Sequence, residues 1–438
     1  MNLFIFHNDL RLVDNIGLSE CLKSGKVIPI FVFTPTQIGK QNPYRSQNAI
    51  NFMCECLEEL DAELRKHGSQ LHVYYGNTHT IVEGLIKKHK ITEVHSNMNY
   101  TPFAIERDAA IANVCKKHNV EFVESEDFGL FPIEHIKTGG GVYRKFTPYY
   151  EAVLKHKVPD PISYSLSNLT KIKSGNKSLI GRFKTGKSRF PGGRKYPTLT
   201  LKRIKTGLKH YDKERNILDI RTTEISCYIK FGCVSVREVY RVFKKTNADL
   251  VKQLIWREYY MNIVWAYPYV LQGPNRNLNE RERKVHWKSL NPSNSKLFIA
   301  WCKGKTGCPI VDAAMTQLNT TGYMHNRGRL ITGWYLVKIL GFNWIYGERY
   351  FAMQLRDYDP AQNNGGWQFV AGSQDSYYRG FNYMLQSAKY DPNAMYIKKW
   401  LPVLGKIPPK HIHEWENHYM EYKVNYPKPI ITYDKKVR

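Results

Sequence analysis

Val27-Ile-Pro-Ile-Phe-Val-Phe33 is a run of seven apolar residues with no polar side chain to offer water. A strand that is apolar on both faces belongs in a sheet covered on both sides, and such sheets are almost always parallel. Working outward, short apolar runs recur at Leu3–His7, Leu71–Tyr75, Glu93–Asn97 and Val120–Glu124. Helical patterns such as Asn48–His67 and Pro102–His118 separate them. Strand and helix in alternation predict a Rossmann-like parallel α/β domain over residues 1–128. No G-x-G-x-x-G follows the first strand, so the ordinary dinucleotide fingerprint is missing. Gly304-Lys305-Thr306 fails as a P-loop, because Ile299 stands where the leading glycine is required.

Beyond this domain the pattern changes twice. From Pro161 to Tyr211 the chain carries thirteen Lys and Arg and no acid, interrupted by Gly, Ser and Pro. Residues 129–215 therefore read as a long basic linker, either a solvated loop or a surface for phosphates or nuclear import. After Asp219 apolar residues recur with a 3.6-residue period, which predicts an all-α domain over 216–438.

The formal net charge of +27, from 65 Lys and Arg against 38 Asp and Glu, favours a polyanionic partner, nucleic acid first and acidic membrane second. No apolar stretch approaches the roughly eighteen residues needed to span a bilayer. The eight cysteines include no C-x-x-C pair, and no secretory leader precedes the first strand. They are expected to be reduced core thiols of an intracellular protein, nuclear or cytoplasmic. His411, His413 and Glu414 form no recognisable ligand pattern, and no metal is expected there.

Four groups of residues point to chemistry. Leu355-Arg-Asp-Tyr-Asp-Pro-Ala-Gln-Asn-Asn-Gly-Gly-Trp-Gln368 gathers acids, adjacent amides, a glycine pair and an indole. Acids and amides suit the polar edge of an isoalloxazine, glycines let backbone approach a flat ring, and Trp367 is placed to pass an electron. Thr222, Thr223 and Ser226 precede a helical segment, where hydroxyls and free N–H groups suit a pyrophosphate. Gln253, Trp256, Arg257 and Tyr260 fall at i, i+3, i+4 and i+7, one stripe of a helix, and Asn326, Arg329 and Leu330 share a face of another.

The 355–368 run and four further segments together resemble the photolyase/cryptochrome flavoproteins across essentially the whole chain. The four are His7-Asn-Asp-Leu-Arg-Leu-Val-Asp-Asn15, Thr222-Thr-Glu-Ile-Ser226 with Lys230-Phe-Gly-Cys-Val-Ser-Val-Arg237, Trp256-Arg-Glu-Tyr-Tyr260, and Gly304-Lys-Thr-Gly-Cys-Pro-Ile-Val-Asp-Ala-Ala-Met315. The resemblance implies an N-terminal antenna domain, a long linker, and a helical domain holding FAD in a folded, U-shaped form. It implies FAD contacts at Tyr211, Thr222, Thr223, Glu224, Ile225, Ser226, Arg257, Asn326, Arg329, Asp357, Tyr358, Asp359 and Asn363. Within this set Arg329 pairs with Asp357, and Asn363 faces flavin N5. Trp367, Trp344 and Trp287 match the family's electron-transfer chain, and Arg215, Gln253, Trp256, Asn326, Arg327 and Leu330 match its DNA-facing surface. A second, antenna chromophore (folate, deazaflavin or flavin) is implied near Asn99, Tyr100 and Arg107.

The lesion is read from departures. Bacterial cyclobutane-dimer photolyases usually carry Glu where this chain has Gln253 and Met where it has Leu330, while (6-4) photolyases carry Gln at the first position. The (6-4) enzymes, however, place histidines at the positions of Asn326 and Leu330, and a leucine cannot transfer a proton. The expectation is therefore light-driven splitting of cyclobutane pyrimidine dimers in ultraviolet-damaged DNA by a monomer. The alternatives are a (6-4) photolyase and a non-repairing cryptochrome.

Overall fold

A computed structural model describes residues 1–139, 141–188, 190–272, 276–278, 292, 295–372 and 382–431. Trp287, expected at the outer end of the tryptophan chain, lies outside the described residues.

Five parallel strands, β1 (Asn2–Phe6), β2 (Val27–Phe33), β3 (His72–Tyr75), β4 (Glu93–Asn97) and β5 (Glu121–Ser125), form one sheet in the order β3-β2-β1-β4-β5. Every expected strand is present within about one residue. β1 and β2 are buried along their whole length. Pro29, which cannot donate to a ladder, sits one residue before β3 begins to pair at Ile30↔His72. Leu3, Ile5, Ile28, Ile30 and Val32 pack with Val82, Leu85, Ile111 and Cys115 from the covering helices.

The described chain forms two compact units, residues 1–209 with 223–268, and residues 210–222 with 269–438. This differs from the expected boundary at 216, because the helices Val236–Thr246 and Ala248–Ala266 belong with the sheet. A buried charge network is the reason. Arg237 donates to Asp14 at 3.0 Å and to Asp127 at 2.6 Å, and Asp127 also pairs with Arg11. All four side chains are at most 4% exposed, so breaking one pair strands its partner in a dry interior. Alongside, Leu10 N–H donates to Phe231 O. Gly232 adopts φ +65°, and a β-carbon there would stand 2.8 Å from the Asn8 carbonyl carbon.

The basic segment is not a free loop. It runs as a strap over the helix Gln47–Lys66, whose surface presents Glu55, Glu58, Glu59 and Asp61. Lys184 pairs with Glu58 at 2.7 Å and Lys177 with Asp61 at 2.8 Å. Backbone N–H groups of Ser188 and Gly192 donate to Glu55, and that of Lys195 to Glu59. Part of the positive charge read from sequence as a phosphate surface is thus neutralised internally.

The second unit has helices joined by loops and no strand among its described residues. Its core centres on Trp301, Met315, Leu318, Ile331, Leu336, Trp344, Phe351 and Trp367. The helix Asn326–Trp334 continues into a π-helical turn, Tyr335–Ile339. No described helix is long and apolar enough to cross a membrane.

Candidate flavin and DNA site

Within the second unit the helix Pro360–Ala371 is launched by Asp359, whose carboxylate accepts from the N–H groups of Ala361 and Gln362 while Pro360 occupies the first turn. That cap fixes the direction of Asn363 and Trp367, one turn apart. Arg329 Nη2 bridges both oxygens of Asp357, at 3.1 and 2.9 Å, and its Nε donates to Met324 O. The Asp357 side chain is 4% exposed and that of Arg329 is 28% exposed, so the cation has one wet flank. Asn363 is buried and donates through Nδ2 to Glu348 O at 2.9 Å. Tyr358 is half-buried beside them.

Trp367 is almost fully buried, with Phe351 edge-on at 5.0 Å and Trp301 at 6.2 Å. Its ring lies against the helix Trp344–Gln354 at Gly347, where a β-carbon would stand 2.5 Å from Trp367 Cζ3. Trp344 opens that helix, fully buried, and its Nε1 donates to Asn277 Oδ1 at 2.8 Å. Trp301 was not among the residues assigned from sequence. Its only sequence signal is an apolar helical face shared with Phe298, which marks core and not site.

On the helix Asn326–Trp334, Asn326 is exposed and Leu330 half-buried. Arg327 is held by Asn216 Oδ1 at 2.6 Å and Gln386 Oε1 at 3.1 Å, with its guanidinium 4.4 Å above the Tyr390 ring. The preceding His325 caps the helix, its Nδ1 accepting from Arg327 N–H at 3.1 Å. Burial, reinforced by Arg327 and Arg329, pushes His325 down to about 4. Thr222 shares a 3.2 Å hydrogen bond with Tyr323 OH, and Tyr211 is buried at the start of the short helix that ends at Arg215.

The first unit carries the other expected residues. Glu224 takes φ +53°, Ile225 is buried, and Ser226 opens the helix Ser226–Lys230 with its side chain exposed. Arg203 Nη2 donates to Thr223 O. The Gln253–Tyr260 stripe falls on the helix Ala248–Ala266 as expected. Gln253 donates back to Asp249 O, and Arg257 clamps Phe128 O at 2.7 Å and Glu258 at 3.2 Å. Glu258 accepts from Leu130 N–H, and burial, opposed by Arg257, pushes it up to about 7. Phe146 lies face to face on Trp256, centroids 3.5 Å apart and 3° from parallel. The stacking plane expected for a flipped base thus has one face covered by a residue no sequence argument had singled out.

Of the residues expected at an antenna, Tyr100 is buried with its ring tilted against Phe128 and Asn99 caps its own turn through Thr101 N–H. Arg107 forms a bidentate pair with Asp108 at 2.7 and 2.8 Å.

A buried carboxylate paired with an arginine, a capping acid, a buried amide and a neighbouring indole make a donor and acceptor set that fits a flavin's polar edge. The comparisons agree. A family model described as the FAD binding domain of DNA photolyase matches residues 250–438, and a model described as DNA photolyase matches residues 2–164. A deoxyribodipyrimidine photo-lyase of Buchnera aphidicola (subsp. Acyrthosiphon pisum) is 34% identical, over 99% of this chain and 94% of its own. That of Escherichia coli (strain K12) is 30% identical over 99% of this chain and 96% of its own. A crystal structure of an archaeal photolyase from Sulfolobus tokodaii, described with two FAD molecules, superposes with a TM-score of 0.90 at 36% identity and covers 100% of this chain and 98% of that one. The chain belongs to the DNA photolyase family. It is a photolyase enzyme and carries an FAD-binding domain.

Proposed function

We propose that this photolyase splits cyclobutane pyrimidine dimers in ultraviolet-damaged DNA. When bound, FAD supplies a light-excited electron donor. Arg329, Asp357, Asp359 and Asn363 are assigned to orienting the flavin ring, with Asn326 and Tyr358 beside it. The donors at Tyr211, Thr222, Thr223, Glu224, Ile225 and Ser226 are assigned to the phosphate half, and Arg257 to the cofactor through its half-buried guanidinium. Trp367, Trp344 and Trp287 are assigned as relay indoles. Arg215, Gln253, Trp256, Asn326, Arg327 and Leu330 are assigned to the DNA, which the net charge of +27 attracts.

One observation carries the choice of lesion. The outward positions of the helix Asn326–Trp334 offer an amide and a leucine, and the adjacent histidine is buried, committed to capping, and pushed well below the ordinary imidazole range by burial. Nothing on that face supplies the proton a (6-4) reaction needs, whereas opening a cyclobutane ring needs no acid. The test uses photoreduced protein and two oligonucleotides, one carrying each lesion. Loss of the cyclobutane dimer alone under blue light is expected; repair of the (6-4) product alone, or of neither lesion in FAD-loaded protein, overturns the proposal. The Sulfolobus tokodaii relative is described with two FAD molecules, which favours a flavin as second chromophore here. Mass spectrometry of released chromophores checks this.

A further inference from the structure

The structure brings together two histidines and a carboxylate that the sequence kept apart. His411, in the helix Pro409–His413, stacks on His418, the last residue of the helix Trp415–His418, with ring centroids 3.8 Å apart and planes 5° from parallel. Glu421, in the next turn, lies against both, 2.7 Å from His418 Nδ1 and 3.5 Å from His411 Nδ1. One ligand atom from each of the three falls within 4.8 Å of the others. His413 and Glu414, grouped with His411 at the level of sequence, do not join the cluster as ligands: His413 turns to Ser387 Oγ at 2.8 Å.

We propose that His411, His418 and Glu421 bind a borderline divalent transition-metal cation such as Zn2+. Bonds of about 2.0–2.2 Å in a tetrahedral site set neighbouring donor atoms about 3.3 Å apart. The carboxylate already lies 2.7 and 3.5 Å from the two Nδ1 atoms, and the two imidazoles, parallel in the stack, turn about their Cβ–Cγ bonds so that their in-plane lone pairs meet at one cation. Its surroundings also have the expected form, since a metal-bound imidazole commonly directs its other ring nitrogen at a carboxylate. His418 does so, with Nε2 3.6 Å from Glu414. The phenol of Tyr422 holds His411 Nδ1 at 2.5 Å, and the cation has to displace it. The segment is anchored from below by Ile412 and Trp415, both buried, so the ligand-bearing turns are fixed by the core. The three ligand side chains are 30%, 20% and 51% exposed, which leaves the cation a route from solvent and an open position for water. A bound ion would cross-link residues 411–421 and stabilise that segment by mass action.

The test is titration of the full-length, FAD-loaded protein with Zn2+ against a chromogenic chelator, followed by Co2+ absorption spectroscopy. One Zn2+ per chain is expected, lost by about tenfold or more in affinity in His418→Gln and in Glu421→Gln, and retained in His413→Gln. Cys302→Ser, which removes the one cysteine that is not fully buried, is expected to change nothing. The Co2+ spectrum is expected to lack a thiolate-to-metal charge-transfer band. Absence of stoichiometric binding, binding unaffected by His418→Gln in a variant with unchanged melting temperature, or a thiolate band overturns the assignment.

Discussion

Trp367 and Gly347 are complementary across two packed helices: the indole occupies the space a side chain on residue 347 would fill. A β-carbon there would stand 2.5 Å from Trp367 Cζ3 and 2.6 Å from Leu336 Cδ2. In an isolated helix Gly→Ala is stabilising by up to about 1 kcal/mol. Here overpacking, typically about 1–3 kcal/mol, outweighs that gain. Gly347→Ala is expected to lower the urea midpoint and displace Trp367, which tryptophan fluorescence and FAD retention on gel filtration check.

Trp367→Phe keeps an aromatic ring in the core but removes the indole assigned nearest the flavin. Photoreduction of oxidised protein is expected to slow by at least about an order of magnitude, equivalent to about 1.4 kcal/mol of activation free energy. Repair by chemically reduced protein is expected to persist. Transient absorption and a single-turnover repair assay separate the two.

Arg329 and Asp357 form a close ion pair within the proposed flavin set. Asp357→Asn leaves the guanidinium facing a neutral amide, and its partial exposure brings the cost below the roughly 3–5 kcal/mol of a fully buried case, to about 1–2 kcal/mol. Arg329→Met with Asp357→Leu is expected to recover the melting temperature without recovering FAD. Recovery of both would remove the pair from the cofactor's support.

A base that stacks on the covered face of Trp256 has to displace Phe146. Aromatic pairs contribute about 0.5–1.5 kcal/mol beyond their buried area, so Phe146→Ala is expected to tighten binding of dimer-containing DNA by up to about tenfold. Fluorescence anisotropy with damaged and undamaged duplexes checks this. Weaker binding would mean that Phe146 supports the indole and does not compete for it.

His325 is held down to about 4 by burial and by Arg327 and Arg329, below its ordinary 6.5. As pH falls through 6.5 the unfolded chain takes up a proton that the folded chain refuses until about 4, so the stabilisation present above 6.5 is lost across that window. The loss amounts to roughly 3 kcal/mol. His325→Asn keeps an acceptor for the Arg327 N–H and removes the titration. Melting curves between pH 7 and pH 4 are expected to slope less steeply for the variant.

The family motifs were legible as strings, but their physical work was not. His7–Asn15 and Lys230–Arg237 read as markers of a flavoprotein, and in the structure they pack on one another through Asp14, Arg237, Asn8 and Gly232. The basic strap read as a linker, either solvated or facing phosphates, because its acidic partners, Glu55, Glu58, Glu59 and Asp61, lie more than a hundred positions earlier on a helix that looked merely amphipathic. Phe146 carried no signal at all, since nothing local distinguishes it from any aromatic at a helix start.

From sequence alone came the strands of the parallel α/β domain, the helical half and the identity of the acids, amides and indoles proposed for the flavin; the helices Phe146–Val153, Ser178–Phe183 and Lys195–Gly207, inside the stretch read as linker, did not. Apolar run length and periodicity are properties of neighbouring residues, so they survive without knowledge of the fold. Only the tertiary structure decided which side chains share a dry pair, which glycine yields its space to an indole, which face of Trp256 is covered, and that His411 meets His418 and Glu421. Those are contacts between separate elements, and their energies exist only once the chain has brought the partners within a few ångströms and excluded the water between them.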